Sequence, residues 1–132
     1  MSLIGKVTLL VLGLVISVQA VSSNPLLREE KFFRNISVGE KSGFVKSQRI
    51  ELSPGFSAPT HSHPVPTFGV INRGVIVYQE EGKREQVLKK GDTFFEPQNV
   101  KIIKFINNSN EVAAFTVFYI VEKRLSPTIH ID

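Results

Sequence analysis

Short apolar runs recur along this chain at intervals of roughly eight to twelve residues, each closed by glycine, proline or asparagine, and this punctuation restricts the fold more than any other feature. Val45 to Leu52 alternates as a strand does and ends at Ser53-Pro54-Gly55. Phe68 to Ile71 and Val75 to Gln79 flank the turn Asn72-Arg73-Gly74, and Gln86 to Leu88 follows the hairpin loop Glu80-Glu81-Gly82-Lys83. Thr93 to Phe95 opens after the tight turn Lys90-Gly91-Asp92, and Ile102 to Ile106 and Val112 to Val121 lie on either side of Asn107-Asn108-Ser109-Asn110. No convincing internal helix interrupts the series. The pattern predicts an all-β chain folded as a single antiparallel jelly-roll barrel. At 132 residues there is room for one such domain and no second.

The first residues read differently. A short stretch carrying Lys6 precedes an apolar run from Val7 to Val18, and Val18 and Ala20 are small enough for cleavage after Ala20. Residues 1–20 are therefore expected to be an export signal, with a retained membrane anchor as the alternative. Cleavage makes the protein periplasmic or secreted; retention anchors it, and the leader is then its one contact with a membrane. Residues 21–40 form an N-terminal arm with a short helical turn expected across Leu26 to Phe33. The barrel is expected over 41–122 and a tail over 123–132.

Composition removes several classes of function. The chain has no cysteine, which excludes disulfides, thiolate metal sites and cysteine nucleophiles, so an exported domain of this size must be held by its own core. The net charge of +4 is spread out, with Lys83-Arg84 and Lys89-Lys90 beside Glu80-Glu81 and Glu85, and no basic helix or arginine-rich tract gathers it into a nucleic-acid footprint. The ten phenylalanines do not interleave with basic residues and are read as core or pocket lining, Phe68, Phe94, Phe95, Phe105, Phe115 and Phe118 among them. Two sequons, Asn35-Ile36-Ser37 and Asn107-Asn108-Ser109, matter only in a host that glycosylates.

The chemistry centres on His61-Ser62-His63. Histidines at i and i+2 of a strand share a face, so both imidazoles can reach one ion or one ligand. A borderline divalent ion asks for one or two further His, Cys, Asp or Glu ligands.

These histidines stand in a frame that resembles the cupin superfamily, the small β-barrels of germin type. The first cupin motif is matched by Gly55, His61, His63 and Gly74, with Thr67 where the family has a glutamate. The second is matched by Gly91 and Pro97, with Asn99 at the inner glycine, Ile102 at the histidine and Asn107 one place beyond the asparagine. The resemblance covers about residues 41–122. It implies a metal site of two histidines, a carboxylate and a third histidine converging inside the barrel. Thr67 and Ile102 remove the last two, which implies at most a weakly held divalent metal (Zn, Ni, Mn or Fe) on His61 and His63. Glu96 is the candidate extra ligand, although it is expected as a surface or rim carboxylate, and His130 is expected to be solvated in the tail.

Three functions stay open at this level. The first is a small-molecule-binding cupin whose apolar pocket is shaped by Phe68, Phe94, Ile102 and Phe105 over a polar floor of His61, His63 and Thr67. The second is a metal-dependent cupin enzyme, an oxygenase, isomerase or lyase, with the ion completed by water or substrate. The third is a structural barrel pairing through the segment from Phe32 to Phe44. Apart from these, the histidines can be remnants bonded to backbone or water. Cupin analogy and open sheet edges together imply a homodimer.

Overall fold

The computed structural model describes residues 24–38, 41–122 and 129–130; the leader assigned to 1–20 lies outside them, as does most of the tail. The strands are β1 (Leu26–Val38), β2 (Lys41–Leu52), β3 (His61–Ser62), β4 (Thr67–Arg73), β5 (Val75–Glu80), β6 (Gln86–Lys89), β7 (Thr93–Glu96), β8 (Ile102–Asn107), β9 (Ala113–Val121) and β10 (Ile129–His130). Every strand pair is antiparallel, in two five-stranded sheets ordered β1-β2-β9-β4-β7 and β10-β3-β8-β5-β6. No helix occurs among the described residues. The predicted all-β jelly-roll class is the fold observed.

Period-two alternation sets the core. Along β9 the side chains of Ala113, Phe115, Val117, Tyr119 and Val121 point inwards and are buried, while Ile120 is exposed. Register carries this parity across the first sheet, because directly opposed residues share a face. Ile50 and Leu52 of β2 oppose Phe115 and Ala113, and Thr67, Gly69 and Ile71 of β4 oppose Tyr119, Val117 and Phe115. The second sheet contributes Ile76, Tyr78, Leu88, Ile102 and Phe105.

Three features of the sheets depart from expectation. Leu26 to Phe33 is extended rather than a helical turn, since β1 pairs with β2 along its whole length, from Leu26↔Leu52 to Val38↔Lys41 with a bulge between Glu30 and Phe32. A full backbone ladder outweighs the local helix preference of Leu-Arg-Glu-Glu-Lys. The segment read as a solvated tail carries β10, which pairs with β3. Phe68, Phe95 and Phe118 are not core: Phe68 opposes both of the others on the outer face, where it is 42% exposed and stacks on Phe118 at 5.4 Å. Their neighbours at the opposite parity, Gly69, Phe94 and Val117, fill the inside.

Two glycines hold the frame of the site. Gly91, in the turn leading into β7, has φ +93, a conformation costly for a residue with a β-carbon. Gly69 leaves room for the Phe94 ring, since a β-carbon there would stand 2.5 Å from Phe94 Cζ. Asn99, which occupies the inner glycine of the second motif, has φ 60, and asparagine tolerates that left-handed region better than most residues. Asn107 is fully buried: its side-chain amide donates to the carbonyls of Leu52, Ser53 and Glu111, and its Oδ1 accepts from the Ser109 amide and hydroxyl. Its sequon is therefore closed in the folded chain, whereas Asn35 is exposed.

Candidate metal centre

The site is assembled from two short backbone segments, one from each sheet. β3 delivers His61, and His63 follows one residue after the strand; both are buried, their ring centroids 5.1 Å apart in an edge-on arrangement. His61 Nδ1 lies 2.9 Å from the Pro59 carbonyl. A carbonyl can only accept, so Nδ1 carries the proton and Nε2 is left with its lone pair, the form in which a histidine ligates. Desolvation by burial is the largest influence on this ring and lowers its pKa. The Pro59 hydrogen bond and Glu96 push upward without reversing it, and His63 and His130 push downward. The neutral form is favoured.

Glu96 completes the group and corrects the expectation that it sits at the surface or rim. It is 2% exposed, on the inner face of β7, and its Oε2 lies 2.6 Å from His63 Nε2. Its place follows from register: Glu96 opposes Thr67 directly, so the two side chains share a face. Thr67 occupies the position at which the cupin motif carries its glutamate. A carboxylate therefore stands one strand over from that position, across the ladder. Candidate ligand atoms of His61, His63 and Glu96 all lie within 4.8 Å of one another. Nitrogen and oxygen ligands bind a divalent ion at about 2.0–2.2 Å, so two atoms on one ion are at most about 4.4 Å apart, close to the separations found here.

One atom in the cluster is unsatisfied. Glu96 Oε1 is buried and has no hydrogen-bond partner. An orphan carboxylate oxygen in an apolar interior is costly, and a cation is the partner that most fully offsets that cost. Two neutral imidazoles and a carboxylate are the donor set of a borderline first-row divalent ion. The residues present fit such an ion.

The other predicted site residues divide. Phe94 and Phe105 line the pocket that opens onto the histidines, together with Ile50, Phe115, Val117 and Tyr119. Phe68 does not, because its parity on β4 turns it outward. Thr67 is buried beneath the site and its hydroxyl donates to the Val65 carbonyl at 3.3 Å, so it is no part of the pocket floor. Ile102 opposes His61 across the β3–β8 pair and sits in the core. Tyr78, on the adjacent wall, donates to Glu80 at 3.1 Å; burial, Glu96 and Glu80 raise its pKa, in that order, so it remains a neutral hydroxyl. Sequence reasoning passed over Arg28, which lines the pocket mouth, and set aside His130, which lies there too. Only the strand pairing of β1 and β10 reveals them. The cavity measures about 50 Å³.

The cupin-domain family profile matches residues 48–119, and the chain belongs to the cupin family. The match includes His61, His63 and Glu96. Among solved structures, the fold resembles an uncharacterized conserved protein with a double-stranded β-helix domain from Klebsiella pneumoniae (15% identity, TM-score 0.65, covering 84% of this chain and 88% of that one). It also resembles a recombinant oxalate oxidase in complex with glycolate (18% identity, TM-score 0.63, 83% of this chain and 57% of that one). A cupin-like protein from Thermotoga maritima is 26% identical, with TM-score 0.54 over 66% of this chain and 64% of that one. The chain spans about half the length of the oxalate oxidases it matches. No curated protein matches the sequence.

Proposed function

We propose that this cupin holds one divalent first-row metal ion on His61, His63 and Glu96 and uses its remaining coordination positions to bind and activate a small ligand. The observation that carries the reading is the buried, unpartnered Oε1 of Glu96 beside two buried imidazoles. Two histidines and one carboxylate leave open coordination positions, the arrangement of metal sites that bind a substrate directly. A metal there supplies Lewis acidity or, for iron and manganese, redox chemistry.

The chain's own residues supply the rest. Pro59 orients His61 through Nδ1, so its Nε2 faces the cluster. His63 Nε2 lies 2.6 Å from Glu96 Oε2, and that contact must open for both atoms to ligate one ion. Phe94, Phe105 and Phe115 exclude water from one side of the site, which strengthens every electrostatic interaction within it. Relatives in the fold that carry the name oxalate oxidase or DMSP lyase agree with an enzyme of this kind.

Metal analysis of tag-free protein tests the proposal. About one equivalent of a transition metal, lost in Glu96→Gln, is the expected result; metal-free protein that also refuses added Mn, Fe, Ni or Zn would refute it. A second reading rests on the 2.6 Å His63–Glu96 contact. Without metal this pair is a buried acid–base dyad, and activity that survives exhaustive chelation would favour it. The apolar leader adds that the protein is exported, which a mature mass beginning after Ala20 would bear out.

A further inference from the structure

We infer that the pocket takes a small organic carboxylate whose charged end is held by Arg28. The inference rests on the metal reading in placing the other end of the ligand against the open side of His61, His63 and Glu96. Its own support is separate. Arg28 opposes Ile50 across the β1–β2 ladder, and Ile50 is a core residue 2% exposed. Directly opposed residues share a face, so Arg28 projects from the inner side of its sheet, where it lines the pocket mouth.

Arg28 is exposed, so its guanidinium stands at the open rim of the pocket and not in the core. Among the described residues no carboxylate lies within ion-pair distance of Arg28; Arg34, Arg73, Lys83, Arg84, Lys89 and Lys90 share that state, and Arg28 differs from them in lining the pocket. Glu96, the one carboxylate lining the same pocket, is engaged with His63. The planar fork of Arg28 is therefore free to receive two oxygens in parallel, the geometry that arginine offers to a carboxylate. His130 adds a second polar group at the same mouth: it opposes His61 across the β10–β3 pair, and β10 and β1 are each the end strand of their sheets.

Size and wall chemistry narrow the class. A cavity of about 50 Å³ holds the equivalent of a few water molecules, so the part of a ligand that enters it is small. Its walls are Ile50, Phe94, Phe105, Phe115 and Val117, so the body of the ligand is short and largely apolar. A neutral apolar molecule would leave Arg28 unused.

Calorimetric titration of the full chain, metal-free and loaded with manganese, against acetate, propionate and butyrate and their matched amides tests the inference. The acids should bind at least tenfold more tightly than the amides. Arg28→Gln should abolish that preference while leaving manganese affinity unchanged, and Arg28→Lys, which keeps the charge without the fork, should retain part of it. Arg34→Gln, removing an exposed charge on the same strand, should change nothing. Equal binding of acids and amides, no binding of any acid, or an acid preference that survives Arg28→Gln would overturn the assignment. An Arg28-dependent preference in protein that takes up no metal would instead uphold it and remove the metal proposal.

Discussion

Glu96 is the residue on which the site turns. It opposes Thr67, so exchanging the two should move the carboxylate across the ladder without emptying the cluster. Glu96→Gln alone should weaken divalent-metal binding about 100-fold or more, since it removes the one anionic ligand. Thr67→Glu combined with Glu96→Thr should recover at least part of it, measured by competition with a chromogenic chelator. Failure of the swap would mean that position 67 does not reach the ion.

His61 yields a pH prediction. Burial lowers its pKa below 6.5, so as pH falls the unfolded chain binds a proton at this position before the folded chain does. Its contribution to stability is whole above about pH 6.5 and is lost as pH drops towards the folded value. Thermal melts of metal-free protein between pH 8 and 5 should show this decline, and His61→Asn should flatten it. The histidine pair was legible in the sequence because the motif fixes its spacing. The inward face of Glu96 was not: Phe94 and Phe95 are both apolar, so alternation in Thr-Phe-Phe-Glu does not say which parity is buried. Pairing with β4 decides it.

At the scale of elements, the strands and the turns between them carry most of the positional information. β4 to β9 follow the apolar runs and glycine turns closely because each is bounded by residues that stop a strand. β1 and β10 escaped notice because their pairing is non-local: neither Leu26–Val38 nor Ile129–His130 has a local pattern that demands extension, and each is a strand because an edge is open to it. Gly91→Ala should cost about 1 kcal/mol or more, as φ +93 is unfavourable for alanine even though the space around it is open. Asn107→Ala should cost more, about 2–4 kcal/mol, because it strips hydrogen bonds from the carbonyls of Leu52, Ser53 and Glu111 and so unpins the loop between β8 and β9. Denaturant titration measures both. An Asn107→Ala variant as stable as the parent would show that water replaces the amide at no cost.

For the whole molecule, a small, mainly apolar pocket is lined from both sheets with a three-residue polar cluster beside it, and the cupin match spans all three residues of that cluster. By the motif resemblance Thr67 and Ile102 stand at two of the family's ligand positions, and on the proposed reading Glu96, which opposes Thr67, supplies a carboxylate from the neighbouring strand. An ion bound there links folding to metal: saturating manganese or zinc should raise the melting temperature of the parent by several degrees and that of Glu96→Gln by little. The most direct test is anomalous diffraction from metal-soaked crystals. The structure predicts one peak at about 2.0–2.2 Å from His61 Nε2, His63 Nε2 and a Glu96 oxygen, with the His63–Glu96 hydrogen bond opened to admit it. Crystals with that hydrogen bond intact and no peak between these three side chains would contradict it.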